Sequence, residues 1–444
     1  MPHTQDARRP AKRDTAPRRP ADPLGTPARR AALRLLDAVL RRGEALEAAL
    51  PAATRAVHGP DRGLAHAIAA EALRRLGDLD ALIDGATRQR LPDDAKARMA
   101  LRIALAQTLA LGTPPHAAIA TVLPLVDGGP RKLVHGVFGT VMRAGATLPE
   151  AATLPEVVAA RWQAAWGEEM VAGAALALAT QPPTDLSLAD ASATEEWCGR
   201  LSGTTLATGS VRLASGHAPV PELPGFAEGG WWVQDLAASL PARLLADVSG
   251  STIDLCAAPG GKTLQLAASG KAVTAVDVSK SRLARLRDNL TRTGLSATVV
   301  TADVLEWSPA EPADAVLVDA PCSATGIFRR HPDVLYRAHA GIIAEMAELQ
   351  ARILARAADW VRPGGVMVFA TCSLEPEEGE EQLDAFLAAR PDYRLDKIGD
   401  QVPEALRVAV RTRGEGEHLR TLPGMLADKG GCDGFFIARL TRVG

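Results

Sequence analysis

The stretch "DLCAAPGGKT", from Asp254 to Thr263, decides the fold because it joins an apolar strand pattern to a glycine-rich turn and a helix. The preceding run "STIDLCA" is typical of a buried strand, and "KAVTAVDV" predicts a second one after the helix. The alternation continues through "SATVVTAD", "DAVLVDAP" and "GGVMVFATCS". Strands that alternate with helices in this way predict a parallel α/β sheet.

The chemically active residues of this half fall at the carboxyl ends of the predicted strands. Parallel α/β sheets bind their ligands beyond that edge, so residues that end neighbouring strands can meet in one place. The sequence therefore predicts a single site built from five short segments: Cys256–Lys262, Asp277, Asp303, Asp319–Cys322 and Thr371–Ser373.

The glycine-rich turn leaves several interpretations open. A nucleotide phosphate loop matches at Gly261, Lys262 and Thr263, but Cys256 stands where that motif needs its first glycine. A dinucleotide fold needs GxGxxG, which is absent. S-adenosylmethionine needs a close backbone approach and a carboxylate for its ribose, and Asp277 stands 17 residues after Gly260. A turn that only packs helix on strand is the plain alternative.

The five cysteines are scattered and show no zinc-ligand spacing. This pattern predicts reduced thiols and neither a disulfide framework nor a metal site. Cys322 and Cys372 differ from the others because both end predicted strands beside the turn. A thiolate that adds to C6 of cytosine makes C5 nucleophilic toward a sulfonium methyl group, which is covalent catalysis. Spacing does not decide which of the two cysteines would attack.

A compact basic group follows the fourth predicted strand, formed by Arg329, Arg330 and His331. Such a group suits contacts to RNA phosphates or bases. Charge is also uneven along the chain. The net charge is -2, but the first 145 residues hold 23 Lys and Arg against 14 Asp and Glu. A basic front half indicates a polyanionic partner.

Composition and periodicity divide the 444 residues into five regions. The chain has neither an apolar run long enough for a membrane span nor a secretory signal, so we expect a cytoplasmic protein that does not enter membranes. The predicted regions are a disordered basic tail (1–25), an all-α domain (26–145), a linker (146–157), a small mixed α/β region (158–245) and the α/β domain (246–444).

The motifs "DLCAAPGGKT", "VLVDAPCSATG", "RRHPD" and "ATCS" together resemble those of the RNA cytosine-C5 methyltransferases. The segments "PPHAAIATVLPLVD" and "KLVHGVFGTVMR" resemble a NusB-like domain, as found in members that act on 16S ribosomal RNA. The resemblance implies an all-α NusB-like domain followed by a Rossmann-like class I methyltransferase domain. It also implies S-adenosylmethionine as cofactor, held by Cys256, Ala257, Ala258, Pro259, Gly260, Gly261, Lys262, Asp277, Asp303 and Asp319.

The resemblance assigns roles that the residues alone do not. It implies that Cys372 is the nucleophile and that Cys322 serves product release, with or as the general base. It places Asp303 on the adenine side and Asp319 at the methionine end, close to the target base. We expect a monomer. Two alternatives stay open, an RNA-binding module that no longer catalyses and a P-loop NTPase.

Overall fold

The computed structural model describes residues 23–444, so the predicted tail lies outside the described residues except for its last three. The region after it is helical, as its apolar periodicity predicts. Its helices are α1 (Thr26–Arg42), α2 (Leu46–Ala53), α3 (Pro60–Arg74), α4 (Leu76–Gly85), α5 (Lys96–Leu109), α6 (Pro115–Val122) and α7 (Gly129–Arg143).

A single apolar core holds these helices together. Leu36 on α1, Ile68 on α3 and Leu101 on α5 have no solvent exposure and belong to one cluster. Helix α1 ends at Gly43, whose φ of 68° is left-handed, a conformation that glycine adopts without a Cβ penalty.

The segment after α7 is extended and packed against both of its neighbours. Ala152 N donates to Ala175 O at 3.0 Å, and the Thr153 hydroxyl donates to Asp78 Oδ1 at 2.6 Å. Ala152 and Leu154 are buried. These contacts tie the helical domain to the region that follows, although the composition of the segment is that of a linker.

The middle region combines helices with a small antiparallel sheet of strand order β2-β3-β1-β4. Two buried tryptophans belong to its core: Trp197, on the helix that packs against the sheet, and Trp231, on the last of its strands. The elements are α8 (Glu156–Trp166), α9 (Glu168–Ala179), β1 (Asp185–Leu188), α10 (Thr194–Leu201), β2 (Thr204–Thr205), β3 (Val211–Arg212) and β4 (Trp231–Val233).

The C-terminal domain is built on one nine-stranded sheet of order β11-β12-β13-β9-β8-β5-β6-β7, with β10 paired to β13. The five strands at the β7 end of this order are parallel to one another. They are the predicted strands: β5 (Ser251–Leu255), β6 (Ala272–Asp277), β7 (Thr298–Thr301), β8 (Ala313–Asp319) and β9 (Val361–Thr371).

The other end of the sheet is antiparallel, so the sheet as a whole is mixed. Strand β13 runs antiparallel to β9, with Ala438 opposite Phe369, and the strands beyond it are also antiparallel. Two of these strands are rich in charged residues, so they lack the apolar pattern that marks a buried strand. They are β10 (Tyr393–Leu395), β11 (Val410–Arg413), β12 (Gly416–Thr421) and β13 (Phe435–Arg442).

Helices cover both faces of the parallel half. They are α11 (Leu236–Arg243), α12 (Gly261–Ala268), α13 (Lys280–Thr293), α15 (Ala340–Ala358) and α16 (Glu380–Ala389). The short α14 (Val334–Arg337) packs instead in a cluster with Trp162 and Leu374. The run from Arg362 to Gly365 lies inside β9. Its proline and glycines read as a helix stop, but the strand already begins at Val361.

The strand order changes direction between β5 and β8. Strand β5 is followed along the chain by β6 on one side, and its other neighbour is β8. Ligands of open α/β sheets bind in the crevice outside such a switch point, at the carboxyl ends of the strands. That crevice lies between the glycine-rich turn and Asp319.

Candidate active site

The glycine-rich turn leaves β5 in an unusual backbone conformation and leads directly into α12. Cys256 has a φ of 56° and Gly260 a φ of 109°, both left-handed. A Cβ atom on Gly260 would stand 2.3 Å from Leu286 Cδ1. The turn therefore needs glycine at position 260 for its backbone angle and for its close contact with α13.

Two carboxylates extend the site from the turn along the sheet edge. Asp277, at the end of β6, accepts hydrogen bonds from Ala258 N at 3.1 Å and Ser279 N at 2.7 Å. It is buried and ties the turn to β6, a role that spacing did not predict. Asp303, just after β7, is exposed and accepts from Leu305 N at 2.8 Å. Each carboxylate keeps acceptor capacity for further donors.

Lys262 and Asp319 form an ion pair across the switch point. Lys262 Nζ lies 2.8 Å from Asp319 Oδ2. Burial by itself lowers the pKa of Lys262, but the Asp319 carboxylate outweighs it, and the net effect raises that pKa. The pair places one donor and one acceptor at the centre of the crevice.

The same contacts count against the P-loop alternative. That motif uses its lysine on phosphates and its Ser or Thr hydroxyl on magnesium. Here Lys262 is committed to Asp319, and the Thr263 hydroxyl is buried and donates to Asp254 Oδ2 at 2.5 Å. Burial raises the pKa of Asp254 to about 7. Lys262 and Thr263, at the end of the glycine-rich turn, thus both contact side chains of the same domain.

The two strand-end cysteines lie side by side. Strands β8 and β9 are neighbours, and Cys322 Sγ is 3.4 Å from Cys372 Sγ. The loops that carry them are also joined, because Gly326 N donates to Cys372 O at 2.9 Å. A Cβ on Gly326 would stand 2.0 Å from Gly434 O, so only glycine permits this approach. The structure therefore brings together the two sulfurs that the sequence singled out.

The environments of the cysteines differ. The hydrogen bond with Cys372, followed by burial, raises the pKa of Cys322. Burial raises the pKa of Cys256 and of Cys432. Because the thiolate is the nucleophilic form, these shifts make the three thiols poor nucleophiles at rest. In the close pair, Cys322 can hold its proton and donate its S–H to the sulfur of Cys372.

Two buried glutamates that sequence reasoning missed hold the cysteine loops. Glu378 accepts from Ser323 N at 2.8 Å and from the Ser323 hydroxyl at 2.5 Å, next to Cys322. Glu375, beyond Cys372, is fully buried and receives Arg161 Nε at 2.6 Å and Trp162 Nε1 at 3.0 Å. The signal was present in the acidic run after Cys372, which reads as a solvated turn.

The predicted RNA-contacting group occupies a different environment from the one its charge indicates. Arg329 is buried, with Nε 3.8 Å from Asp433 Oδ1. Arg330 Nη2 lies 2.8 Å from Asp235 Oδ2. His331 is half-buried, and burial lowers its pKa. This placement favours a role for the two arginines inside the protein over direct contact with RNA phosphates.

Residues 329–337 also join the catalytic half to the helical domain. Arg74 Nη2 donates to Arg329 O at 2.9 Å, and the Tyr336 hydroxyl donates to Leu73 O at 2.8 Å. Leu46 N donates to the buried Asp333 Oδ2 at 3.1 Å. Helices α2 and α3 therefore dock on the segment that follows Cys322.

Comparison with known proteins agrees with this architecture. Residues 26–143 match the NusB family, and residues 242–441 match the family described as 16S rRNA methyltransferase RsmB/F. The ribosomal RNA small subunit methyltransferase B of Xanthomonas campestris is 36% identical over 442 residues, covering 94% of this chain and 98% of the relative. The chain belongs to the RsmB/F family.

Solved structures share the fold. The crystal structure of PH0851 has a TM-score of 0.70 at 22% identity and covers 94% of this chain and 98% of its own. NSun6 from Pyrococcus horikoshii, solved with SFG, has a TM-score of 0.54 at 20% identity, covering 65% of this chain and 98% of its own. An all-α NusB domain followed by an α/β methyltransferase domain is thus the architecture of this RsmB/F member.

An RsmB/F methyltransferase uses S-adenosylmethionine, and the crevice fits it chemically. The cofactor carries a positive sulfonium, and the crevice edge carries three carboxylates, those of Asp277, Asp303 and Asp319. Two cations stand against them: Lys262, paired with Asp319, and Arg282, whose Nη1 is 3.8 Å from Asp277 Oδ2. Opposite charges at this range favour binding of the cation. The residues predicted to hold it, from the turn at Cys256–Lys262 to Asp319, border this crevice.

The described residues were also searched for metal sites and for helices that could span a membrane. Within residues 23–444, no group of three or more His, Cys, Asp or Glu side chains is arranged to hold a metal ion. In the same part of the chain, every helix is too short or too polar to cross a membrane.

Proposed function

We propose that this chain transfers a methyl group to C5 of a cytosine in 16S ribosomal RNA through a covalent adduct with Cys372. The observation that carries the proposal is the pair of sulfurs 3.4 Å apart at the ends of β8 and β9, beside the crevice of an RsmB/F domain. One thiol can bond to the base while the other assists its release. A base inside a helix offers no free face to a thiolate, so the target is unstacked or flipped.

The reaction begins with attack by sulfur. The Cys372 thiolate adds to C6 of the cytosine, and the ring electrons move to C5. S-adenosylmethionine, when bound, would supply an electrophilic methyl group: C5 takes the methyl as its bond to the sulfonium sulfur breaks, and S-adenosylhomocysteine is left. The ion pair of Lys262 with Asp319 offers a donor and an acceptor that can orient the base at the methionine end. Such positioning and fixed charge lower the barrier to methyl transfer.

The second half of the reaction regenerates the enzyme. A base removes the proton from C5, the electrons return to the ring, and the bond between C6 and Cys372 breaks. Cys322 lies 3.4 Å from the departing sulfur and can supply or receive a proton there. We assign Cys322 to this release step, acting with or as the general base.

The test is methyl transfer from labelled S-adenosylmethionine to unmethylated 16S ribosomal RNA, with bisulfite mapping of the product. Cys372→Ala should lose transfer altogether, because the bond to C6 that activates C5 is then not formed. Cys322→Ala should accumulate a protein–RNA adduct that survives denaturing gel electrophoresis. Cys198→Ala is the matched control, since Cys198 lies on α10 and its sulfur contacts the Thr205 hydroxyl.

The outcomes separate the candidate functions. Full activity of Cys372→Ala would refute the assigned nucleophile, and an adduct in Cys372→Ala in place of Cys322→Ala would exchange the two roles. Methylation of a uridine, or at a position other than C5, would refute the proposed product. An RNA-binding module without catalysis would show RNA binding but no transfer by the unaltered protein.

A further inference from the structure

A buried carboxylate that the proposed chemistry does not use lies behind the two cysteines. Glu378 follows Cys372 by six residues and has no solvent exposure. Its Oε1 accepts from Ser323 N at 2.8 Å, and its Oε2 accepts from the Ser323 hydroxyl at 2.5 Å. The Ser373 hydroxyl is a third donor to this carboxylate. Since none of these donors is a cation, burial outweighs them, and the net effect raises the pKa of Glu378.

The contacts of Glu378 are nevertheless those of an ionised carboxylate. Its Oε1 faces a backbone N–H, which can only donate, and 2.5 Å is typical of a hydroxyl that donates to a charged oxygen. The hydroxyls behind this bond can donate in the same direction. Ser373 Oγ lies 3.2 Å from Ser323 Oγ and 3.4 Å from Thr325 Oγ1, which itself accepts from Leu374 N at 2.9 Å. This chain of donors ends at Glu378, on a group that needs no proton of its own.

Glu378 is bonded more directly to one cysteine loop than to the other. It accepts from the peptide N–H that follows Cys322, whereas its carboxylate reaches the loop of Cys372 through the Ser373 hydroxyl. The hydrogen bond with Cys372 and burial raise the pKa of Cys322, and the charge of Glu378 adds to both effects. Glu378 therefore opposes ionisation of Cys322.

Three ion pairs lie around the cysteine loops. They are Lys262 with Asp319, Arg161 with Glu375 and Arg420 with Glu380. Because each of these cations has an acid of its own, none of them neutralises Glu378. Glu377, which precedes Glu378, is half-buried, so solvent screens its charge. Glu378 thus brings an uncompensated negative charge to the back of the sulfur pair.

A charge of the opposite sign acts on Cys372. Burial lowers the pKa of Lys262, but the Asp319 carboxylate and a thiolate at Cys372 outweigh it. The Lys262 ammonium therefore stabilises negative charge on Cys372. Glu378 disfavours negative charge on Cys322, so the two sulfurs, 3.4 Å apart, are not equivalent.

We propose that Glu378 is a positioning residue for the sulfur pair, whose charge keeps a proton on Cys322 and leaves the thiolate on Cys372. The pair starts with two protons, and the one that it loses passes from Cys372 to solvent. The thiolate is then on the sulfur that adds to C6, and Cys322 retains the proton for the release step. This inference rests on the proposed function and gives a physical reason for a division of roles that spacing does not decide.

Alkylation by iodoacetamide measures which sulfur ionises first, without RNA or cofactor. The thiolate is the form that reacts, and both cysteines are half-buried, so part of each side chain is accessible to the reagent. The full chain is labelled briefly at a series of pH values, and peptide mass spectrometry gives the rate at each sulfur. In the unaltered protein, Cys372 should be labelled at lower pH than Cys322.

Glu378→Gln removes the charge and keeps an oxygen that can accept from Ser323 N. The ratio of label at Cys322 to label at Cys372 should then rise by roughly 10-fold, which corresponds to an interaction of about 1.4 kcal/mol. Glu378→Asp keeps the charge and should stay near the ratio of the unaltered protein. Glu381→Gln, which removes an exposed charge from the neighbouring α16, is the matched control and should leave the ratio unchanged.

Thr325→Ala separates the charge from the packing of the loops. It removes a buried hydroxyl that holds Leu374 N but leaves the carboxylate in place, so the ratio should not rise. A purely structural role for Glu378 predicts instead that the loosened loops change the ratio as Glu378→Gln does.

Three results would overturn the inference: earlier labelling of Cys322 in the unaltered protein, an unchanged ratio in Glu378→Gln, or an equal rise in Thr325→Ala. The first needs no variant, so it decides even if Glu378→Gln does not fold. The proposed function fails differently, because the thiols could then be labelled in the predicted order while the unaltered protein transfers no methyl group to any cytosine.

Discussion

The most informative perturbation concerns the ion pair between Arg161 on α8 and Glu375 in the loop after Cys372. Arg161→Met removes the cation that pairs with Glu375 while keeping a side chain of similar length. Glu375 is fully buried, so its carboxylate would keep only Trp162 Nε1, 3.0 Å away, as a side-chain donor from α8. Breaking a buried ion pair in this way costs about 3–5 kcal/mol. Because the Arg161 side chain is 19% exposed, we expect the lower end, about 3 kcal/mol.

Urea unfolding measures this loss. With a slope of about 3 kcal/mol per molar urea, the midpoint should fall by about 1 M. Adding Glu375→Gln to Arg161→Met removes the unpaired charge but keeps an acceptor for Trp162. The double variant should therefore be more stable than Arg161→Met alone, with a remaining cost of about 1 kcal/mol for the lost hydrogen bonds.

The rate of methyl transfer gives a second measurement of the same ion pair. Glu375 follows Cys372 by three residues, and small displacements of a reacting group lower rates strongly. Arg161→Met should therefore lower kcat for methyl transfer more than it raises KM for RNA. The reasoning is refuted if the urea midpoint of Arg161→Met stays unchanged, or if the double variant is no more stable than the single one.

Two further predictions concern buried groups of the site. Burial raises the folded-state pKa of Asp254 to about 7, above its unfolded value, so stability should fall as pH rises from about 4 to 7. Asp254→Asn should remove this part of the pH dependence in urea unfolding, and an unchanged profile would contradict the burial argument. Mild hydrogen peroxide should join Cys322 and Cys372 in a disulfide, with the two thiol hydrogens passing to the peroxide as water. Methyl transfer should be lost and then recovered with dithiothreitol, in Cys198→Ala as in the unaltered protein, and activity that survives the oxidation would count against the close sulfur pair.

The parallel half of the sheet and the composition of the crevice could be predicted because their signals are local. The strand of Ser251–Leu255, the glycine turn and α12 follow one another within a few residues. The rule that strand ends share one edge then brings Asp277, Asp319 and Cys372 together without any distance being known. Charged strands such as β11 could not be predicted, because they lack the apolar alternation that indicates a strand.

The environment of the predicted residues was beyond sequence reasoning. Arg329 and Arg330 read as a basic surface group because their acidic partner Asp433 lies about a hundred residues later in the chain. A separation twice as long hides the support of the cysteine loops, since Glu375 contacts Arg161 across 214 positions. Chain-distant partners decide whether a charged side chain faces water or fills the interior.

The docking of residues 329–337 on the helical domain limits how this molecule can be divided. A chain cut ahead of α8 would lose the donors that Arg74 and Leu46 provide to Arg329 O and to the buried Asp333. It would also leave the Tyr336 hydroxyl without Leu73 O as its acceptor. All three contacts fall on the segment that follows Cys322. We therefore expect that removal of the helical domain would destabilise the segment that follows Cys322.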